Sequence, residues 1–398
     1  MSRPPRYETR PTEGPLWASE PFRVFFPLGL IAAVFGLVLW PMHYFGWWPI
    51  YPAIQHPRLL IFGFGAAFVF GFLGTAWPRF LEAEALRAWE VFLIGLLWLM
   101  GQVSYARAAI GEGDLILCST FVFLLVILGR RLFQAEREFP PPGFAVAFLS
   151  ILLAALTLLG WGLGWAQKSP EWFHLHRLLG YQGFLLLPLL GVGSYLFPRF
   201  FVSPGGAGKP KSAGASRRAR WVWISSGIIL VSFFVEAFVS TRFGNLLRVA
   251  GVLAWCLGAV PALLSGKSPS TRAWTLRFGL GLIVLSFLCR VAWPQEEFAF
   301  EHLLFLCGFT QLMLLVADRV AHGHGGDLKG LPSKSLRWRW IVWLFLLTAA
   351  TRATADLVPT TRISHHIYAA VMLVGIFVLW WWQNGKCIWN RPPEEKEG

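Results

Sequence analysis

Apolar runs of roughly twenty residues recur along the chain, and each break between them carries charge, proline or glycine. About twenty apolar residues in a helix cross a hydrocarbon core about 30 Å thick. This ruler predicts spans at 22–41, 57–77, 89–109, 115–133, 143–165, 175–197, 221–240, 246–264, 275–293, 299–317, 338–357 and 364–382. The expected fold is therefore all-α, a polytopic membrane protein of twelve transmembrane helices. An N-terminal tail, 1–21, and a C-terminal tail, 383–398, flank a transmembrane domain over 22–382.

Composition agrees with that class. Of 398 residues, 56% are apolar and only 14% charged, against about 25% charged in soluble domains. The polar, proline-rich first 21 residues lead to an apolar run with no small-residue cleavage site behind it, unlike a cleavable signal. The net charge of +14 could suggest nucleic acid, but the basic residues are distributed by loop. Arg3, Arg6 and Arg10 stand in the N-terminal tail. The loops after even-numbered spans carry Arg79 and Arg87; Arg130, Arg131 and Arg137; Lys209, Lys211, Arg217, Arg218 and Arg220; Lys267 and Arg272; Lys329, Lys334, Arg337 and Arg339. The opposite loops hold single charges such as Arg107, Lys168, Arg242 and Arg362. This bias puts both termini in the cytoplasm, and nucleic acid is set aside as a partner in favour of the lipid bilayer. Segment 204–220 reads as a mobile cytoplasmic loop, and Glu394, Glu395 and Glu397 as a solvated acidic tail. Tryptophans near span ends, among them Trp47, Trp77, Trp161, Trp338 and Trp380, fit an interfacial belt. The five cysteines form no CxxC, and four lie in apolar runs, where a thiol packs as a small hydrophobe.

Chemistry points to histidine. His56, His176 and His302 open the second, sixth and tenth spans at one face, the outer one by the charge rule. His43, His174, His365 and His366 lie near the same face, whereas His322 and His324 stand in a glycine-rich inner turn. His56 leads to Gly71 and Pro78-Arg79-Phe80, and His176 to Gly191 and Pro198-Arg199-Phe200, each element 120 residues after its counterpart. A third echo keeps His302 and Arg319 but loses the proline. The simplest plan is three four-helix quasi-repeats, about 22–140, 143–265 and 275–382. Imidazole at membrane depth is costly without a partner, and haem iron and copper are both imidazole-seeking. His56, His176 and His302 are therefore the candidate cofactor ligands. His324, His322, His174, His365 and His366 are further candidate metal ligands, and a backbone or headgroup hydrogen bond is the alternative for each. Glu301 beside His302 is a candidate second-shell group. Glu236, Arg290, Arg352 and Asp356, toward the outer span ends, are either functional or paired with one another. The midplane holds only mild polar groups such as Gln182, Ser225, Ser226 and Gln311, unlike a transporter with a charged midplane site.

Three stretches resemble the NnrS family: Pro21-Phe22-Arg23-Val24-Phe25-Phe26; His56 through Phe64 with Gly71 through Pro78; and His302 leading to Asp318-Arg319-Val320-Ala321-His322-Gly323-His324-Gly325. The resemblance implies a bacterial inner-membrane protein of twelve spans, holding haem (haem b) and copper and tied to nitric oxide metabolism or stress. It retains His56 and His302 as ligands, while His176 rests on the internal echo alone. The chain departs from the family where His-x-His-Glu-Met is usual, carrying Arg58, Leu59 and Leu60 after His56. Tyr195 stands near Pro198 where the family tends to have arginine, and Gly325-Gly326-Asp327 follow His324. The layout also resembles the catalytic subunit of haem-copper oxidases and nitric oxide reductases. It lacks their His-Pro-Glu in the sixth span and in-helix His-x-His in the tenth. A haem-copper oxidase-like or nitric oxide reductase-like enzyme and a metal-free transporter with interfacial histidines stay open as alternatives. No catalytic residue and no oligomeric state follow from the residues.

Overall fold

The apolar runs fold as helices in the predicted order. The computed structural model describes residues 14–134, 141, 143–201, 212–264, 270–326 and 335–390. Its long helices are α1 (Phe22–Tyr44), α2 (Gln55–Leu81), α3 (Ala88–Ala106), α4 (Ile110–Leu132), α5 (Gly143–Gly162), α6 (Pro170–Phe200), α7 (Ser212–Phe238), α8 (Thr241–Gly258), α9 (Thr271–Ala292), α10 (Pro294–His324), α11 (Leu336–Leu357) and α12 (Pro359–Trp389). Caps fix several starts. The Ser169, Ser270 and Ser335 side chains accept from the Trp172, Ala273 and Trp338 amides at 3.3, 3.2 and 3.3 Å, satisfying amide groups a helix start leaves free.

Among the described residues eleven helices are long and apolar enough to cross a membrane, which makes this a multi-pass membrane protein. The difference from the twelve predicted spans is α8. It is 18 residues long and contains Arg242, Asn245 and Arg248, which lower its hydropathy. Asn245 and Arg248 are fully buried and bond Glu236 of α7, so the polar face of α8 serves helix pairing. Several boundaries also move: residues 212–220, expected in a loop, open α7; α12 continues past 382 to Trp389; and α10 continues past 317 to His324, so His322 and His324 stand in its last helical turn and not in a glycine-rich turn after it. Arg3, Arg6, Arg10, Arg137, Lys209, Lys211, Lys267, Lys329, Lys334 and the acidic tail lie outside the described residues.

Helices adjacent in sequence pack side by side, and α12 returns to α1. The Arg23 guanidinium at the start of α1 ties this closure by donating to the carbonyls of Ile388 and Asn390. α2 and α6 bury 78% and 72% of their most apolar stretch, which places them at the centre. Several tryptophans expected in an interfacial belt instead join helices. Buried Trp77 donates to the Leu128 carbonyl at 2.9 Å, Trp380 to that of Leu314 at 3.0 Å, and Trp338 to Asp318 at 3.3 Å. Trp47, Trp340 and Trp382 remain exposed.

Three helices carry a widened π-helical stretch: Leu59–Gly65 in α2, Leu178–Gly183 in α6 and Leu304–Thr310 in α10. Each begins two or three residues after His56, His176 or His302. Such stretches are rare and concentrate at functional sites.

α5 and α6 touch backbone to backbone. A Cβ built on Gly191 would fall inside the Gly143 carbonyl, so only glycine permits this approach. Gly191→Ala is expected to cost about 1–3 kcal/mol by overpacking. Gly281→Ala, where a Cβ meets nothing within 4 Å, should leave stability unchanged or slightly raised. Thermal unfolding of the two variants in detergent checks the contrast.

Candidate functional site

The helix ends that begin α2, α4, α6, α10 and α12 surround a cavity of about 850 Å³. Three histidines from three helices line it: His56 of α2, His302 of α10 and His366 of α12. The hydrogen bonds of each ring define what it can do. The His56 Nδ1–H donates to the Gly36 carbonyl at 3.0 Å, and the His302 Nδ1–H to the Phe298 carbonyl at 2.7 Å. A carbonyl has no proton to give, so Nδ1 carries it, and in the neutral ring the Nε2 lone pair is left for a metal. His366 shares a 2.7 Å hydrogen bond between Nδ1 and the Tyr44 hydroxyl, and its Nε2 is buried with no hydrogen-bond partner among the described residues.

α1 supports two of these rings from behind. Gly36, Trp40 and Tyr44 recur at every fourth position, so they lie along one side of α1. The Trp40 ring stands 6.1 Å from that of His56 and 4.9 Å from that of His366. Sequence reasoning missed this stripe, although its four-residue spacing opposite a histidine was readable.

The other candidate histidines go elsewhere. The cavity face of α6 presents Phe173, Arg177, Tyr181 and Leu185, again at steps of four. His176 is one residue, about 100°, away from that face. Its ring lies against Gly160 of α5, and its Nδ1–H donates to the Trp172 carbonyl at 2.8 Å. His365 points away from its neighbour His366 and bonds the Thr361 carbonyl at 3.1 Å. His322 bonds the Asp318 carbonyl at 2.9 Å. His174 places Nε2 3.3 Å from Glu236.

Most charged residues in the cavity wall are paired. Arg58 grips Asp114 with two 3.0 Å bonds, donates to the Tyr181 hydroxyl at 2.6 Å and lies over the Trp161 ring at 4.1 Å. Tyr105 donates to the same carboxylate at 2.7 Å. Arg352 and Asp356 pair at 2.8 Å. Arg177 bridges Glu297 at 2.9 Å and Glu301 at 2.8 Å, and Gln182 donates to Glu301 at 2.7 Å. The network continues to Glu236, which Arg248 and Arg290 hold with no exposure on any of the three side chains. Glu236, Arg290, Arg352 and Asp356 are thus ion-paired.

His174, Glu236 and Glu297 offer ligand atoms within 4.8 Å of one another. Arg177, Arg248 and Arg290 already neutralise these carboxylates and Glu301, so a cation would have to displace guanidinium groups. Ion pairing accounts for this cluster.

At the far end of α10, His324 Nδ1 meets Glu20 at 2.6 Å, and Arg23 and Arg79 pair with the same carboxylate. Burial alone would raise the Glu20 carboxyl, but these three partners outweigh it and hold it at about 2.

Fold and site together define a multi-pass α-helical membrane protein with a histidine-walled cavity at one end. The family model described as NnrS protein matches residues 15–391, and the chain belongs to the NnrS family. No curated protein matches it.

Glu236→Gln would leave buried Arg248 and Arg290 short of a countercharge. A loss of about 3–5 kcal/mol is expected, read as a fall in unfolding temperature in detergent. Glu20 gives a pH signature. Its carboxyl is depressed in the folded state, so its contribution is full above the unfolded value of about 4.3 and is lost as pH falls toward 2. Glu20→Gln should therefore cost up to about 3 kcal/mol at pH 7, with the gap to wild type closing between roughly pH 5 and 2. Thermal unfolding across that range measures it.

Proposed function

We propose that the cavity holds haem, with His56, His302 and His366 as the candidate iron ligands. We further propose that the protein works in nitric oxide metabolism or stress at the bacterial inner membrane, as its NnrS membership suggests. The observation that carries this reading is the set of three imidazoles from three helices facing one cavity of about 850 Å³. That volume lies in the ~300–1,000 Å³ range of cofactor sites. Two of the rings are held by Nδ1 on carbonyls, and the third has a buried, unpartnered Nε2.

The chemistry of the walls fits the group. Leu37, Leu60, Phe64 and Phe377 offer an apolar lining that keeps water from a macrocycle, and Arg362 is placed to meet a carboxylate at its edge. Bound haem would supply an iron able to bind diatomic ligands and exchange single electrons. The Gly36 and Phe298 carbonyls orient their rings and raise ligand basicity. Among the described residues, the three cavity histidines do not bring their ligand atoms within 4.8 Å of one another. Such a spread favours a broad planar group over one copper ion bound by all three. The shared π-helical stretches after His56, His176 and His302 support the plan of three quasi-repeats. Basic groups such as Arg79, Arg130, Arg131, Arg217 and Arg218 at one end support cytoplasmic termini.

The visible spectrum of protein purified after expression with haem supplied tests the reading. A Soret band is expected. At least one of His56→Ala, His302→Ala and His366→Ala should lower haem retention roughly 10–100-fold, whereas His176→Ala should retain it. Folded wild-type protein without a Soret band would sink the proposal.

A further inference from the structure

α2, α6 and α10 each carry an arginine near the end opposite the histidine cavity: Arg79, Arg199 and Arg319. Their surroundings differ. Arg79 pairs with the Glu20 carboxylate. Arg199 and Arg319 form no ion pair among the described residues, and each lies instead over an aromatic ring. The Arg199 guanidinium stands 3.8 Å from the centre of the Tyr195 ring, one turn back, and donates to the Tyr195 hydroxyl. Arg319 stands 4.9 Å from the centre of the Phe200 ring. Phe200 follows Arg199 directly, so two helices bring these cations to one place.

The carboxylate beside Arg319 in sequence is already taken. Asp318 accepts from Arg272 of α9 at 2.6 Å and from Trp338 of α11 at 3.3 Å. Arg199 and Arg272 act on Arg319 as like charges, and Arg319 is half-buried, where solvent screens it less. Guanidinium groups held together without a countercharge repel one another, whereas an anion between them gains from both. A guanidinium seated over a ring keeps its charge and its donors. Its planar fork matches the oxygens of carboxylate and phosphate. A phosphate monoester brings three acceptor oxygens and about −1.5 to −2 charge at pH 7, which suits two arginines better than a single carboxylate does.

We propose that Arg199 and Arg319 form a binding site for a phosphate group at the end of the bundle opposite the histidine cavity. The countercharge that Glu20 gives to Arg79 is here supplied by the ligand. Tyr195 and Phe200 position the two guanidinium groups. The site shares no residue with the cavity and does not depend on haem.

Calorimetric titration of the full-length protein in detergent with inorganic phosphate, against chloride at matched ionic strength, tests free phosphate as the source. Mass spectrometry of lipid retained by the same protein, phosphatidylglycerol against phosphatidylcholine, tests a lipid headgroup. Specific binding is expected in at least one arm, and Arg199→Gln and Arg319→Gln should each weaken it roughly 10–100-fold. Arg199 is exposed, so its variant keeps the fold and decides the matter should the Arg319 variant fail to fold. Binding in neither arm, or binding unchanged in Arg199→Gln, would overturn the proposal. Neither arm needs haem, so a missing Soret band and missing phosphate binding are separate failures.

Discussion

Polar groups within a membrane must find their partners inside the protein, because the hydrocarbon offers none. That constraint organises this molecule. Arg58 closes on Asp114 and Tyr181 while Tyr105 donates to the same Asp114, Arg177 closes on Glu297 and Glu301, and Arg248 with Arg290 on Glu236. These contacts join helices distant in sequence and brace the cavity end of the bundle. At the opposite end, Glu20 gathers Arg23, Arg79 and His324, while Arg23 also secures the return of α12 to α1.

The same constraint prepares the cavity histidines. A ring whose Nδ1–H is given to a carbonyl has satisfied one end and presents a lone pair at the other. His56 and His302 meet that condition, and His366 leaves its Nε2 buried without a partner among the described residues. A buried ring nitrogen without a partner is costly; in the tautomer where His366 Nδ1–H donates to Tyr44, Nε2 holds the lone pair and coordination to a metal would relieve that cost. Under the proposed function, satisfying the backbone and poising a ligand would be one arrangement.

Much of this was legible in the residues. Span order followed from apolar length, and the gathering of histidines at one end followed from where the spans begin. His365 and His366 were both candidate ligands, but one residue of offset turns them apart on α12, and only His366 lines the cavity. The limits are equally physical. The segment of α8 was read as a span like the rest, but Asn245 and Arg248 are there to meet Glu236, a partner nine and twelve residues back, and that pairing is invisible to a hydropathy count. Trp77, Trp338 and Trp380 looked interfacial by position, but each indole spans to another helix. The 120-residue echo aligned His176 with His56 in sequence without fixing the rotation of α6 about its own axis.

By itself, then, the sequence determined a helical membrane bundle, the end at which its imidazoles gather and the family to which its motifs belong. These rest on length, charge bias and local spacing, which neighbouring residues carry along the chain. Only the tertiary structure decided which imidazoles share the cavity. One residue of offset turns a side chain about 100°, sending His176 to α5 while Arg177 faces the cavity. It also brought Gly36, Trp40 and Tyr44 of α1 beside His56 and His366, because a helix's rotation is set by all the helices packed around it.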